Sequence, residues 1–171
     1  MVYTALFTAV ICAVAPFSIS IGPIPLSFAT LAIYLAAVSL DWKYSVLSVV
    51  VYVALGAIGL PVFSNFEGGF YKIAGVTGGF IIGYIPLALA TGLSAHASGK
   101  NRWIQLSGMV IGTVMLYTCG VMWFMLQMKV SLVAAIMTCV SPFLVGDSIK
   151  IAFAWIITPQ LRKALSRNKL V

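Results

Sequence analysis

Two opposite charges stand three positions apart in an otherwise oily stretch, Asp147 and Lys150 within Gly146-Asp147-Ser148-Ile149-Lys150. At that spacing they share one face of a helix. A charge in an apolar segment costs a few kcal/mol on insertion scales, so it is usually paired, turned toward the bundle interior, and used on a ligand or ion pathway. Two readings follow: the pair serves a polar guest, or the charges only neutralise each other. A pair with no second task could be replaced by apolar residues at little cost, which favours the guest.

Little else in the chain could do chemistry. Cys12, Cys119 and Cys139 fall inside apolar runs without paired spacing, so neither a metal cluster nor a disulfide framework is implied, and they read as small buried residues. One histidine, His96 in a polar loop, and three acidic residues leave no visible nucleophile with its base, so an intramembrane enzyme is disfavoured. No ring of like polar residues suggests a channel.

Glycine is dense just after the third apolar run, in Gly56-Ala57-Ile58-Gly59-Leu60-Pro61-Val62-Phe63, Gly68-Gly69, Gly75, Thr77-Gly78-Gly79-Phe80 and Gly83-Tyr84. At membrane depth irregular backbone is tolerated only where it is buried in protein or lines a cavity. Glycine also permits close approach of backbone to a ligand. Tight helix packing with no ligand is the alternative.

The elements that must position these residues are set by composition. With 62% hydrophobic and 8% charged residues and a mean hydropathy of +1.11, the chain is suited to lipid and not to water. Its 171 residues fit about six spans of about 20 residues with short connections. The expected runs are Val2 to Ile21, Leu26 to Leu40, Tyr44 to Leu60, a run into Leu93, Trp103 to Leu126, and a last one through Ser141-Pro142-Phe143 that ends near Thr158. Ser131 to Val140 is short and reads as a re-entrant or interfacial helix leading into the last span. Ala13-Val14-Ala15 resembles a signal-peptidase site, but the absence of an upstream basic residue and the presence of Pro16 favour a retained first helix.

Ten Lys and Arg against three acidic residues could suggest nucleic-acid binding, yet no basic stretch is interleaved with aromatics on a polar scaffold. The basic residues fit a topology with both termini cytoplasmic. Lys43, Lys100, Arg102, Arg162, Lys163, Arg167 and Lys169 then lie inside, and only Lys72 and Lys129 outside. Asp41, Trp42 and Lys43 form a cytoplasmic turn with an interfacial anchor, and Glu67 and Lys72 read as solvated loop charges, with a role at the rim of a site as the sharper alternative.

The loop Gly59-Leu60-Pro61-Val62-Phe63, the Gly68-Gly69 pair, the turn Gly75-Val76-Thr77-Gly78-Gly79-Phe80 and the stretch Pro142-Phe143…Gly146-Asp147…Lys150 together resemble the BioY family, the biotin-binding S components of energy-coupling factor (ECF) transporters. The resemblance covers nearly the whole chain. It implies an all-α integral membrane protein, one BioY-like domain over 1–171 with a basic cytoplasmic tail from about 159 to 171. The six-transmembrane-helix S-component bundle would sit in the bacterial cell membrane, with a Gly-rich outer loop between its third and fourth helices. Biotin is the implied transported substrate, with no cofactor, no metal and no catalysis. The implied partners are a coupling module, made of a transmembrane T subunit and two ATPases, and the lipid bilayer. The S subunit would topple to deliver its vitamin, and the chain itself has no Walker A sequence.

The substrate-binding set so implied is Asp147, Lys150, Phe63, Gly68, Gly69, Thr77, Gly78, Gly79, Phe80 and Tyr84. Asp147 could accept from a ureido N–H, Lys150 could serve the carboxylate or the ureido carbonyl, and Phe63, Phe66, Phe70, Tyr71, Phe80 and Tyr84 could form apolar walls. Ala5, Ala9 and Ala13 match the small-residue stripe on which the family docks its T subunit, with packing inside the chain's own bundle as the alternative. Val76 and Phe80 depart from the family, which commonly has proline at the first position and a polar residue or tyrosine at the second. An S component for thiamin or riboflavin would share the fold and differ in the pocket.

Overall fold

A computed structural model describes residues 1–21, 24–98 and 101–167. The first helix, α1 (Val2–Val14), is shorter than its apolar run, because Pro16 brings no N–H to extend it. The alternation Ser18-Ile19-Ser20-Ile21 then has the period of a strand. Strand β1 (Ser18–Ile21) pairs antiparallel with β2 (Ile24–Ser27), in register from Ser18 opposite Ser27 to Ile21 opposite Ile24. The expected helix from Val2 to Ile21 is therefore corrected to a helix and half a hairpin, and the all-α expectation to a helical bundle carrying one two-stranded ribbon. The run expected from Leu26 likewise loses its first residues to β2.

Helix α2 (Ala29–Ser39) is the buried centre, with Ala29, Ala32, Ile33, Tyr34, Ala36 and Ala37 almost free of solvent contact. A helix that is apolar and buried all round belongs inside a bundle. It packs on α1, on α3 (Trp42–Ala57), on α5 (Gly78–Ala97) and on α8 (Phe143–Arg167). Small polar residues let α1 and α3 approach closely: Thr8 Oγ1 donates to the Ser48 carbonyl at 3.2 Å, and Ser48 Oγ to the Thr4 carbonyl at 3.2 Å.

Between α3 and α5 the chain turns at Gly59 (φ 109°) and Gly69 (φ 106°) and forms the short α4 (Phe70–Ala74). This connection is clamped to the hairpin region: Asn65 N donates to the Pro16 carbonyl at 2.9 Å, Ser18 Oγ bonds Asn65 Oδ1 at 2.8 Å, and the Phe17 and Phe66 rings meet edge to face. Helix α6 (Arg102–Met128) returns to the same end, where its Trp123 and Gln127 donate to the Gly75 and Ala74 carbonyls. There α7 (Leu132–Cys139) occupies the segment expected as a short re-entrant or interfacial helix, and it meets α8 at a bend of 49°.

The opposite end is tied by arginines. Arg162 Nε and Nη2 donate to the Val38 and Ala95 carbonyls, each at 2.9 Å, capping the last turns of α2 and α5. Helix α8 does not stop near Thr158. It runs through Pro159, whose missing N–H leaves the Trp155 carbonyl free, and Arg102 Nη2 takes that carbonyl at 2.8 Å while its guanidinium lies 4.2 Å from the Trp155 ring centroid. His96 is exposed, as expected, but in the last turn of α5 and not in a loop.

Apolar side chains cover the outside: Ile111 and Val114 on α6 and Val145, Ile149 and Ile156 on α8 are each more than half exposed. By length and composition α5 and α6 could each cross a membrane, and α7 with α8 could form a third, bent span; α1, α2 and α3 are apolar but shorter.

Candidate functional site

The first turns of α8 set Asp147 and Lys150 on one face, both buried. The Lys150 ammonium donates to the Ser27 carbonyl at 2.7 Å, to Thr30 Oγ1 at 3.1 Å and to Asp147 Oδ1 at 2.9 Å. An ammonium has three donors, so each N–H of Lys150 is engaged. Asp147 Oδ2 accepts from the Tyr117 hydroxyl at 2.6 Å. Four elements thus converge: β2 gives Ser27, α2 gives Thr30, α6 gives Tyr117 and α8 gives the pair. A carboxylate offers about four lone-pair sites, of which Asp147 uses two here.

The pair opens onto a cavity with about 660 Å³ of free space, open solvent at its mouth included. Phe63, Phe80, Tyr84, Leu116 and Tyr52 supply apolar wall, and Tyr52 meets Phe63 edge to face at 5.7 Å and Tyr84 at 6.3 Å. Lys72 and Thr77 add polar groups. Among the described residues no cluster of three or more His, Cys, Asp or Glu could hold a metal ion. A shielded carboxylate with spare acceptor capacity, set among aromatic rings, is equipped to bind a donor-bearing molecule.

Of the ten substrate-binding residues expected from the sequence, Asp147, Lys150, Phe63, Thr77, Phe80 and Tyr84 line this cavity. Gly68, Gly69, Gly78 and Gly79 do not, and serve backbone packing. A Cβ on Gly68 or Gly78 would strike the Leu60 or Ile73 carbonyl, and one on Gly79 would meet Trp123 and stand 2.6 Å from the Cys119 carbonyl oxygen. Gly69 takes a left-handed φ and donates to the Gly56 carbonyl at 2.6 Å. Phe66, Phe70 and Tyr71, expected as walls, are more than half exposed, and Phe66 meets Phe17 edge to face. Glu67 and Lys72 are not free loop charges: they form an ion pair, and Lys72 lies on the cavity wall.

Sequence reasoning missed Tyr117, Ser27, Thr30 and Tyr52. A tyrosine deep in an apolar run must find a partner for its hydroxyl, which could have flagged Tyr117. Ser27 acts on Lys150 through its carbonyl, for which the sequence carries no signal. On α1, Ala5, Ala9 and Ala13 are exposed while Thr4, Phe7, Thr8 and Ile11 face inward, so the alanine stripe does not pack inside its own bundle.

A model of the BioY family matches residues 1–167. The biotin transporter BioY of Thermotoga maritima is 38% identical over 164 residues, covering 95% of each chain. A probable biotin transporter BioY of Pyrococcus horikoshii is 38% identical over 158 residues, 92% of this chain and 93% of that one. The crystal structure of the S-component for biotin from an ECF-type ABC transporter superposes with a TM-score of 0.87 at 28% identity, over 95% of this chain and 89% of that chain. With its helical bundle, its buried charge pair and these relatives, the chain belongs to the BioY family.

Proposed function

We propose that this chain is the biotin-binding S subunit of an ECF-type uptake transporter and that its cavity holds biotin, with Asp147 accepting from a ureido N–H. The observation that carries this reading is the Asp147 carboxylate itself: neutralised by Lys150, steadied by Tyr117, and left with acceptor sites beside an aromatic-walled cavity. Charge-assisted bonds of this kind are roughly twice as strong as neutral ones. Lys150 holds and neutralises Asp147. Phe63, Phe80 and Tyr84 close on the apolar bicycle, Thr77 borders it, and Gly68, Gly69, Gly78 and Gly79 shape the cavity without touching the ligand.

Six helices, α1, α2, α3, α5, α6 and α8, then span the lipid as a single domain over 1–171. The hairpin, the Gly-rich connection from 58 to 77 and α7 form the outer end. Support comes from the ends of the bundle: Lys43, Arg102, Arg162 and Lys163 lie on one side, Lys72 and Lys129 on the other, a bias that favours a topology with both termini in the cytoplasm of a bacterial cell. The exposed stripe Ala5, Ala9 and Ala13 is the docking face for a T subunit, which with two ATPases drives delivery inward.

Binding of radiolabelled biotin to the detergent-purified chain tests this reading. Saturable binding displaced by dethiobiotin, and not by thiamin or riboflavin, is expected. Asp147→Asn weakens it by at least ~1.4 kcal/mol, about tenfold. Displacement by thiamin or riboflavin, or no binding at all, refutes the assignment.

A further inference from the structure

We propose that Lys72, and not Lys150, receives the ligand's carboxylate, and that Glu67 holds the Lys72 ammonium in place until the ligand arrives. This rests on the biotin reading above, since it concerns a molecule with a donor-bearing head and an anionic tail. Among the described residues, Lys72 and Lys150 are the two cations on the cavity wall. They differ in what they have to give. The three N–H groups of Lys150 are spent on Ser27, Thr30 and Asp147, so an incoming carboxylate would have to unseat one of these buried bonds. It would also approach the Asp147 anion.

Lys72 has the opposite position. Its side chain is 22% exposed against 6% for Lys150, so it stands nearer the surface, while the Asp147–Lys150 pair is buried. The side chain of its partner Glu67 is 38% exposed, with the paired Oε2 itself shielded, so this contact is more open to solvent than that of Lys150 with Asp147, whose side chains are 6% and 7% exposed. The backbone beneath Lys72 is fixed: its N–H donates to the Gly69 carbonyl at 3.1 Å, and its carbonyl accepts from Thr77 Oγ1 at 3.2 Å. Only the side chain need move. Partial burial lowers the Lys72 pKa from the ordinary lysine value. A molecule polar at both ends thus finds a buried acceptor in the cavity and a cation nearer the surface.

The test compares biotin with biotinol, in which the carboxyl is reduced to an alcohol, on the purified chain. Lys72→Met should weaken biotin about tenfold and leave biotinol unchanged, because it removes one charge-assisted bond that only biotin makes. Glu67→Gln should act in the opposite direction, tightening biotin about threefold without changing biotinol, since it removes the competitor. Lys150→Met should weaken both ligands alike. If Lys72→Met changes neither ligand or both equally, or if Lys150→Met loses biotin selectively, the assignment of Lys72 is wrong while the biotin reading stands. If Lys72→Met does not fold, the Glu67→Gln result decides. Failure of the unmodified chain to bind biotin would bring down the functional reading itself.

Discussion

The buried pair can be asked whether it is kept for its own balance or for a guest, by making Asp147→Leu, Lys150→Met and the two together. Lys150→Met unmakes three hydrogen bonds, of 2.7, 3.1 and 2.9 Å, and leaves the Asp147 charge with the Tyr117 hydroxyl as its one remaining protein partner. Removing one member of a buried ion pair costs about 3–5 kcal/mol. Asp147→Leu leaves the ammonium on the Ser27 carbonyl and Thr30 hydroxyl, so its cost falls toward the lower end of that range. In the double variant no charge is stranded, and its loss should fall short of the sum of the singles by up to about 3 kcal/mol. At about 2–4 °C per kcal/mol for a chain of this size, each single variant lowers the unfolding midpoint in detergent by roughly 10 °C, and the double by about as much as one single variant, not by the two together. Biotin calorimetry on the same samples supplies the second reading: the double variant, folded but without its acceptor, should not bind. If it binds biotin as the original chain does, the two charges serve only each other and the site is elsewhere. If instead the double loses the full sum, the charges are not coupled and the geometry has been misread.

Tyr117→Phe removes the hydroxyl from Asp147 Oδ2 and should cost about 1–2 kcal/mol in biotin affinity, read by calorimetry; an unchanged affinity would mean that water or the ligand replaces that donor at no loss. Gly79→Leu drives a side chain into Trp123 and the Cys119 carbonyl across the α5–α6 contact, and should lower stability by about 1–3 kcal/mol in thermal unfolding, whereas tolerance would show that the two helices can part without strain. Ala9→Trp, on the exposed stripe of α1, should leave biotin binding intact and abolish uptake in cells that carry the coupling module; normal uptake would remove this stripe from the docking surface.

Asp147 and Lys150 were legible because charge in an apolar run is rare and costly, and the six expected residues that line the cavity are that pair, the aromatics Phe63, Phe80 and Tyr84, and Thr77. The glycines themselves do not line the cavity. Dense glycine fits a ligand-lining backbone or a close helix contact equally well, and Gly78 and Gly79 prove to be contacts, against Ile73 and Trp123. The helix ends were less readable. Apolarity continues past α1 into β1, and a helical run and a buried strand are equally oily; only Pro16 and the two-residue alternation distinguish them. At Pro159 the opposite error arises, because a rule about proline in helices cannot see Arg102 arriving from another helix to take the freed carbonyl.

The missed hairpin also explains how Lys150 can be buried at all. Had the chain remained helical from Ser18 into α2, the Ser27 carbonyl would have been consumed by an N–H four residues on, as helical carbonyls are. Because Ser27 closes a strand, its carbonyl is free for the ammonium, while its hydroxyl donates to the Ala15 carbonyl at 2.7 Å and accepts from the Ala29 N–H at 3.0 Å. One residue thereby joins the end of α1, the start of α2 and the cation of α8. The break in the first apolar run is therefore part of the site: it supplies a neutral acceptor for the Lys150 side chain, which then does not draw on Asp147 alone, and so leaves that carboxylate with acceptor sites to spare for a ligand.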